Sequence, residues 1–387
     1  MNKDFLPIIG EFKDTEFILN IISIIDGEIL IKTNNVIIIE KLQKYKCKRL
    51  ILKVSYPHTI ISFIYKNQEN KITVDIPRDT FPSINVFNCD NHYLEQTNLW
   101  ERALKANFNF HLGDQLYLDN LFMTHARDLE DNKNINLRKD VYFEYIKAFS
   151  RKTHVLQTGF NIMLGDDHDI VDESIRSKYK EKTVHYLVNE YKEIFLEIQY
   201  SLRFGGNVVQ CGAMDFFLFD NIEALSYKNY LSKLHNSLKQ YKSLNQILYI
   251  LSPRVPLNFK APFIYKTIFE GQSDKTDYSD FYNFLFELPQ KVIILCGDAH
   301  IHKSFQIKKK EKIIDLFLVG TMNSPIDRIK LDENIWYDQS IQCKNTAINS
   351  KNSFLELKFG EITIHFDKPR NSQIISYALK YFKARFL

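Results

Sequence analysis

The stretch FHLGDQLYLD (residues 110–119) ends a short apolar run, typical of a strand, with a glycine–aspartate pair. The same pair follows two later apolar runs, as Gly165-Asp166 in LGDDHDIVD and as Gly297-Asp298 in ILCGDAH. Glycine permits the tight turn at the end of a strand, so each aspartate lies just past a carboxyl end. Ligands of α/β proteins bind at that edge of the sheet. The pairs therefore predict one acidic site built from distant turns.

Further potential metal ligands accompany these pairs. The second stretch holds four carboxylates and a histidine within seven residues, and His300 follows Asp298 closely. So many carboxylates repel one another in a low-dielectric site unless cations neutralise them. Oxygen and nitrogen ligands suit Fe, Mn, Zn, Mg or Ca better than a thiolate zinc site would. A single pair would be an ordinary turn or helix start, but three in succession favour a metal site.

The composition is that of an ordinary globular protein. Of the 387 residues, 45% are hydrophobic and 25% are charged, and the formal net charge is +4. This balance argues against disorder and gives no strong reason to expect a nucleic-acid-binding protein. A basic run at residues 308–312 separates two apolar runs. We interpret it as an exposed hairpin tip.

Cysteine usage and hydropathy bear on the compartment. The five cysteines are widely spread and form no CxxC pair, which predicts neither a zinc knuckle nor a disulfide framework. The first residues lack a basic stretch followed by a sustained apolar segment. No run approaches the roughly 18 apolar residues needed to cross a bilayer. We therefore expect a cytoplasmic protein without a membrane span, and the sequence predicts no oligomeric state.

The order of elements divides the chain in two. Residues 1–80 contain short β-branched and aromatic runs separated by turn signals, which predicts a small N-terminal β-sandwich-like domain. Residues 81–387 alternate strands with helices and predict an α/β catalytic domain. Within it, the clearest helices are expected at residues 180–202, 227–241 and 372–386.

The three acidic stretches resemble the signature blocks of alkaline phosphatase D-like (PhoD-like) metallophosphatases, in the calcineurin-like phosphoesterase superfamily. Asn88-Cys89-Asp90 and the following LWER (residues 99–102) resemble that family's serine–cysteine block and tryptophan helix. QILYILSPRVP (residues 246–256) resembles a further segment. The resemblance covers about residues 84–325. It implies a four-layer α-β-β-α sandwich preceded by an N-terminal β-sandwich.

The resemblance also implies roles for individual residues. The implied metal ligands are Cys89, Asp114, Tyr117, Asp167, Asp298 and His300. Asp114 would bridge two cations. His168 would be catalytic, bonding the substrate and protonating the leaving oxygen. The cofactors would be two or more divalent or trivalent ions, Fe with Ca or else Mn, Zn or Mg.

Other polar residues near these stretches receive weaker assignments. Asp119, Asp166, Asp169 and Asp172 are candidates for supporting hydrogen bonds or caps. His111 and His302 lie beside the motifs, but strand alternation points them away, so they are left out of the site.

The implied function is metal-dependent hydrolysis of phosphate esters, monoesters or diesters, by a metal-activated hydroxide. Nucleic acid enters only as a possible substrate. The alternative is a catalytically silent PhoD-like binding or structural module. FLFDNI (residues 217–222) favours this alternative because it lacks an arginine that the family often carries there. Gly165 stands where the family commonly has a tryptophan, a change that would open the cleft beside His168. Competent ligands at every implied metal position favour the enzyme.

Overall fold

The computed structural model describes residues 4–34, 36–94, 99–103, 106–219, 227–241, 245–256, 279–298, 300, 302–322, 334–336, 342–349, 353–358 and 361–366. The helix expected at residues 372–386 lies outside these ranges, as do residues 220–222 of the segment without arginine.

Two antiparallel sheets come first along the chain. Their strands are β1 (Phe5–Lys13), β2 (Glu16–Ser23), β3 (Gly27–Lys32), β4 (Ile37–Leu42), β5 (Lys46–Lys53), β6 (His58–Tyr65) and β7 (Gln68–Asp75). One sheet has the order β1-β2-β5 and the other β4-β3-β6-β7. In β3 and β4, buried or half-buried side chains alternate with more exposed ones, because one sheet face meets the core and the other meets solvent. The expected N-terminal antiparallel sheets are present.

The sequence of strand β1 shows no alternation of apolar and polar residues. Its first seven residues are all buried, so both of its faces are covered. The Nδ2 atom of Asn161 donates to the carbonyl of Ile9 at 2.9 Å, and Nε2 of Gln157 donates to that of Pro7 at 3.2 Å. Strand β1 thus packs directly against later parts of the chain, and one apolar cluster contains residues from both sides of residue 80. The division at residue 80 stays a prediction.

The remaining strands form two larger sheets. They are β8 (Ile84–Phe87), β9 (Phe108–His111), β10 (Phe160–Met163), β11 (Val208–Cys211), β12 (Met214–Leu218), β13 (Ile247–Ser252), β14 (Lys291–Cys296), β15 (His302–Lys309), β16 (Lys312–Leu318), β17 (Asn334–Trp336), β18 (Gln342–Asn349), β19 (Ser353–Lys358) and β20 (Glu361–Phe366). The orders are β10-β9-β8-β19-β20 and β11-β12-β13-β14-β16-β15-β18-β17. Strands β15 and β16 form a hairpin, which confirms the expected basic tip.

Helices cover the outer faces of these two sheets. They are α1 (Leu99–Arg102), α2 (Asp119–Glu130), α3 (Leu137–Ser150), α4 (Thr153–Thr158), α5 (Glu173–Arg176), α6 (Glu181–Ile198), α7 (Tyr227–Lys239) and α8 (Ser279–Glu287). Helices α1 and α4 share an apolar cluster with strands β8 and β19 of the first sheet, and α7 and α8 share another with the second sheet. Helices α2, α3 and α6 share a third cluster with residues of β1, β2 and β10. Helix α6 buries Leu187, Tyr191 and Ile194, the stripe expected from its period.

The two large sheets face each other across an aromatic core. Phe110 of β9 stacks on Phe216 of β12 with ring centroids 4.6 Å apart, and Phe216 stacks in turn on Tyr249. With helices outside both sheets, the arrangement is the predicted four-layer α/β sandwich. None of the helices described is long and apolar enough to cross a membrane.

The sheet topology brings distant turns to one edge. Strands β8, β9 and β10 run parallel in one sheet, and β12, β13, β14 and β16 run parallel in the other. The carboxyl ends of parallel strands lie at the same edge. Cys89 follows β8, Asp114 follows β9, and Asp166 follows β10, while Arg254 and Asp298 follow strands of the second sheet.

Candidate metal centre

The glycines of the first and third acidic turns allow the chain to approach itself closely. A Cβ atom on Gly113, where φ is +110°, would lie 2.8 Å from Cβ of Asp166 and 3.2 Å from Cβ of Pro253. A Cβ atom on Gly297 would lie 2.4 Å from Oδ1 of Asn88. Real Cβ atoms do not approach so closely, so a side chain at either position would force the turns apart.

Four of the expected ligands share an unusual backbone conformation. The φ angles are +42° at Cys89, +53° at Asp114, +65° at Asp298 and +50° at His300. Side chains other than glycine rarely adopt this left-handed region, which costs roughly 1–2 kcal/mol per residue. Such strain persists where the surrounding structure enforces it, often at functional sites. Here it occurs in the turns that carry the acidic side chains.

The first group of potential ligands lies around Asp114. The ligand atoms of Cys89, Asp114 and His300 all lie within 4.8 Å of one another. The Cys89 thiol donates to Oδ2 of Asp114 at 3.3 Å. The hydroxyl of Tyr117 lies 3.5 Å from the same oxygen and 3.1 Å from Nε2 of His300. These four expected ligands come from three separate turns and meet at one point.

The second group shares Asp114 with the first. Ligand atoms of Asp114, Asp167 and His168 lie within 4.8 Å of one another. An aspartate common to two groups is the arrangement that a bridging carboxylate requires. Asp114 is therefore common to both groups, and its role as a bridge between two cations stays a prediction.

A carboxylate orients the histidine of the second group. Oδ2 of Asp119 lies 2.6 Å from Nδ1 of His168, and Oδ1 of Asp119 accepts from the backbone N–H of Asp172 at 2.9 Å. The imidazole also stacks on Tyr117, with ring centroids 4.4 Å apart. Burial lowers the pKa of His168, but Asp119 and Asp167 outweigh it and hold that pKa well above its usual value.

Asp298 is the one expected ligand that belongs to neither group among the described side chains. It nevertheless lies in the same acidic environment. Burial and the nearby Asp166 raise the pKa of Asp298 to about 8, against the opposing influence of Arg254. The role of Asp298 as a ligand stays a prediction.

The electrostatics of Asp114 test whether a cation fits. Burial, with repulsion from Asp166 and Asp167, raises the pKa of Asp114 well above its usual value, although His168 acts in the opposite direction. Burial and Asp114 also raise the pKa of the Cys89 thiol. Oδ1 of Asp114 is buried without a hydrogen-bond partner within the described part of the chain. A bound cation would neutralise these groups and coordinate that oxygen, so the residues present fit one.

Asp169 joins the first two acidic turns. Its carboxylate accepts the backbone N–H groups of Asp114 at 2.8 Å, Gln115 at 2.9 Å and Asp166 at 3.1 Å. Satisfying these donors fixes both turns against each other. The supporting role that the sequence suggested for Asp169 therefore has a definite form. The carboxylate holds the backbones of the first and second acidic turns together.

A buried lysine behind the site was missed in the sequence. Nζ of Lys152 lies 3.1 Å from Oδ2 of Asp90 and donates to Oε1 of Gln115 at 3.2 Å. Burial lowers the pKa of Lys152, while Asp90 opposes the decrease. Because Asp90 follows Cys89 and Gln115 follows Asp114, this ion pair supports both turns from below. No local motif marks Lys152, which lies 62 residues from its partner.

Arg254 was also missed as a site residue. Its Nε atom lies 3.5 Å from Oδ1 of Asp166. The only signal in the sequence is its place in SPRVP, directly after the apolar run of β13. Arg254 therefore brings a cationic side chain to the edge where the acidic turns meet.

Comparison with known proteins shows similarity in structure. PhoD is 11% identical in sequence with a TM-score of 0.64, over 93% of this chain and 88% of that one. Purple acid phosphatase PPD1 from yellow lupin (Lupinus luteus) seeds is 10% identical with a TM-score of 0.61, over 93% of this chain and 71% of that one. No family model matches the sequence, and no curated protein is similar to it. At such low identities the similarity shows the fold, which is the one that the sequence resemblance implied.

Proposed function

Proceeding from a fold shared with PhoD and a purple acid phosphatase, we propose that this protein hydrolyses phosphate esters at a dinuclear metal centre. The observation that carries the proposal is the position of Asp114 in two groups of potential ligands at once. A fold alone does not define an activity, whereas a carboxylate shared by two ligand groups is what a dinuclear centre needs.

The side chains divide into two sets around Asp114. Cys89, Tyr117 and His300 would hold one cation with Asp114, and Asp167 would hold the second with it. When bound, such cations polarise phosphoryl oxygens and lower the pKa of a water molecule towards about 7. The mixed thiolate, phenolate and imidazole set suits a transition metal, whereas the carboxylate-rich set also suits Mn, Mg or Ca.

His168 would donate a proton to the leaving oxygen of the ester. Asp119 holds Nδ1 of the imidazole at 2.6 Å, so Nε2 is the atom able to transfer the proton. Stacking on Tyr117 fixes the plane of the ring. This carboxylate–histidine pair gives the site an oriented acid beside the proposed cations.

Elemental analysis of the purified protein tests the proposal most directly. We expect about two metal ions per chain and hydrolysis of p-nitrophenyl phosphate or bis-p-nitrophenyl phosphate, lost on chelation and restored by metal. His168→Ala should lower turnover by about 10²- to 10⁴-fold while retaining the metal. Retained turnover in His168→Ala would refute its role as the acid.

The catalytically silent module makes the opposite prediction. A binding or structural protein would be purified without stoichiometric metal and would hydrolyse neither ester in any added metal. The absence of arginine in residues 217–222 favours that reading. The orphan Oδ1 atom of Asp114 supports the metal centre instead, because a buried carboxylate oxygen needs a partner.

A further inference from the structure

Arg254 brings positive charge to the acidic centre from a strand that supplies none of the proposed ligands. Those ligands follow β8, β9, β10 and β14, whereas Arg254 follows β13. Strand β13 pairs in parallel with β14, and Ser252 lies opposite Cys296, just before the third acidic turn. The topology therefore places Arg254 beside Gly297 and Asp298.

The backbone of Arg254 is fixed in this position. Its N–H donates to Oγ of Ser252 at 3.2 Å, and the Ser252 hydroxyl in turn donates to the Arg254 carbonyl. The preceding Pro253 packs between two acidic turns, 3.2 Å from where Cβ of Gly113 would lie and 2.9 Å from that of Gly297. These contacts fix the backbone from which the long side chain of Arg254 extends.

The Arg254 side chain also interacts with the acidic groups. Its Nε atom lies 3.5 Å from Asp166, whose side chain is only 2% exposed, whereas that of Arg254 is 15% exposed. Arg254 is therefore paired with a buried carboxylate of the second acidic turn while part of its side chain meets solvent.

We infer that Arg254 binds the phosphoryl oxygens of the substrate and favours phosphate monoesters over diesters. This inference rests on the proposed function and names its substrate class. A guanidinium carries five N–H donors in a planar fork, which can serve a carboxylate and an oxyanion together. A monoester carries nearly two negative charges at neutral pH and a diester only one, so Arg254 stabilises the monoester more.

The competing reading makes Arg254 a structural counter-ion of Asp166. The partial exposure of Arg254 beside a buried carboxylate argues against it, because an oxyanion can approach the guanidinium while Asp166 stays in place. The acidic turns would also repel an anionic substrate unless cations balance them, and residues 217–222 contain no arginine. Arg254 provides that balance from the neighbouring strand.

The test uses the metal-loaded full-length protein and inorganic phosphate as the probe. Calorimetry measures phosphate affinity for the wild type, Arg254→Gln and Arg254→Lys. The kcat/KM values for p-nitrophenyl phosphate and bis-p-nitrophenyl phosphate are measured on the same samples. Arg127→Gln is the matched control, since it removes the same charge from an exposed site on α2. Metal content and Tm are recorded throughout.

We expect Arg254→Gln to weaken phosphate binding by about 10- to 100-fold with unchanged metal content. Its kcat/KM should fall about tenfold further for the monoester than for the diester. Arg254→Lys keeps the charge beside Asp166 and hence the fold, but loses the planar fork, so it should show a smaller loss of the same kind. This variant carries the test if Arg254→Gln does not fold.

The outcomes separate the inference from the proposed function. Phosphate binding that depends on Arg254 in a protein without turnover would support the inference and refute the hydrolase. Turnover with unchanged phosphate affinity in both variants would leave the hydrolase intact and overturn the inference. Equal losses for monoester and diester would likewise overturn it, since a purely structural pair with Asp166 predicts no discrimination.

Discussion

The buried turns of the candidate metal centre and the exposed turns of the N-terminal sheets contain the same left-handed backbone conformation. At the tips of two hairpins, φ is +57° at Asp14 and +63° at Asn67, and both residues are exposed. At the centre, φ is +53° at Asp114, which is buried. In a hairpin this conformation reverses the direction of the chain, and the exposed side chain of the residue does not contact the core. In the candidate metal centre the same conformation directs the carboxylate of Asp114 towards both groups of potential ligands.

The largest contrast is expected from removing one carboxylate charge in each kind of turn. Asp114→Asn should abolish stoichiometric metal binding and lower turnover by at least about 10³-fold, since both ligand groups share this residue. Asp14→Asn should change neither. Metal analysis and initial rates on the two variants check this. Full metal content in Asp114→Asn would refute the bridging role.

The second-largest contrast is expected in the free energy of unfolding when an ion pair is broken in each region. Lys152→Met leaves Asp90 buried without its partner, so we expect a loss of roughly 3–5 kcal/mol in the free energy of unfolding. Lys71→Met breaks an exposed pair with Glu69 and should leave the free energy of unfolding nearly unchanged. Urea denaturation of the metal-free variants measures both. Similar small losses would mean that Lys152 does not support the centre.

An added Cβ atom should destabilise the protein more at Gly113, which lies in a crowded buried turn, than at Gly205, which lies in open space. Gly113→Ala must accommodate both a positive φ and a contact with Asp166, so we expect a loss of roughly 2–4 kcal/mol and weaker metal binding. At Gly205, φ is +101° and an added Cβ atom would have no neighbour within 4 Å. Gly205→Ala should therefore cost only the backbone strain of roughly 1 kcal/mol. Thermal unfolding with and without metal distinguishes them. Equal losses of stability in the two variants would show that the contact with Asp166 does not contribute to the cost.

The smallest effect concerns the strain itself. Glycine adopts positive φ without steric cost, so Asn67→Gly and His300→Gly should each relieve up to roughly 1 kcal/mol of backbone strain in the metal-free protein. Only His300→Gly should reduce metal content, because it removes a member of the first ligand group. Calorimetry of both forms checks this pair. A metal-binding defect in Asn67→Gly would contradict the separation of roles.

The sequence alone determined the residues of the acidic turns and the class of fold. Strand periodicity and the glycine–aspartate pairs are local signals, because they depend on neighbours in the chain. They therefore predicted that Asp114, Asp166 and Asp298 follow strands and meet at one edge. Local signals failed at β1, whose two buried faces give no alternating pattern.

Only the tertiary structure decided how those turns fit together. It placed Asp114 in both ligand groups, left Asp298 outside them among the described residues, and brought Lys152 beneath the centre. It also brought Arg254 within 3.5 Å of Asp166, 88 residues away along the chain. Contacts between residues so far apart follow from sheet order and packing, which no local pattern encodes.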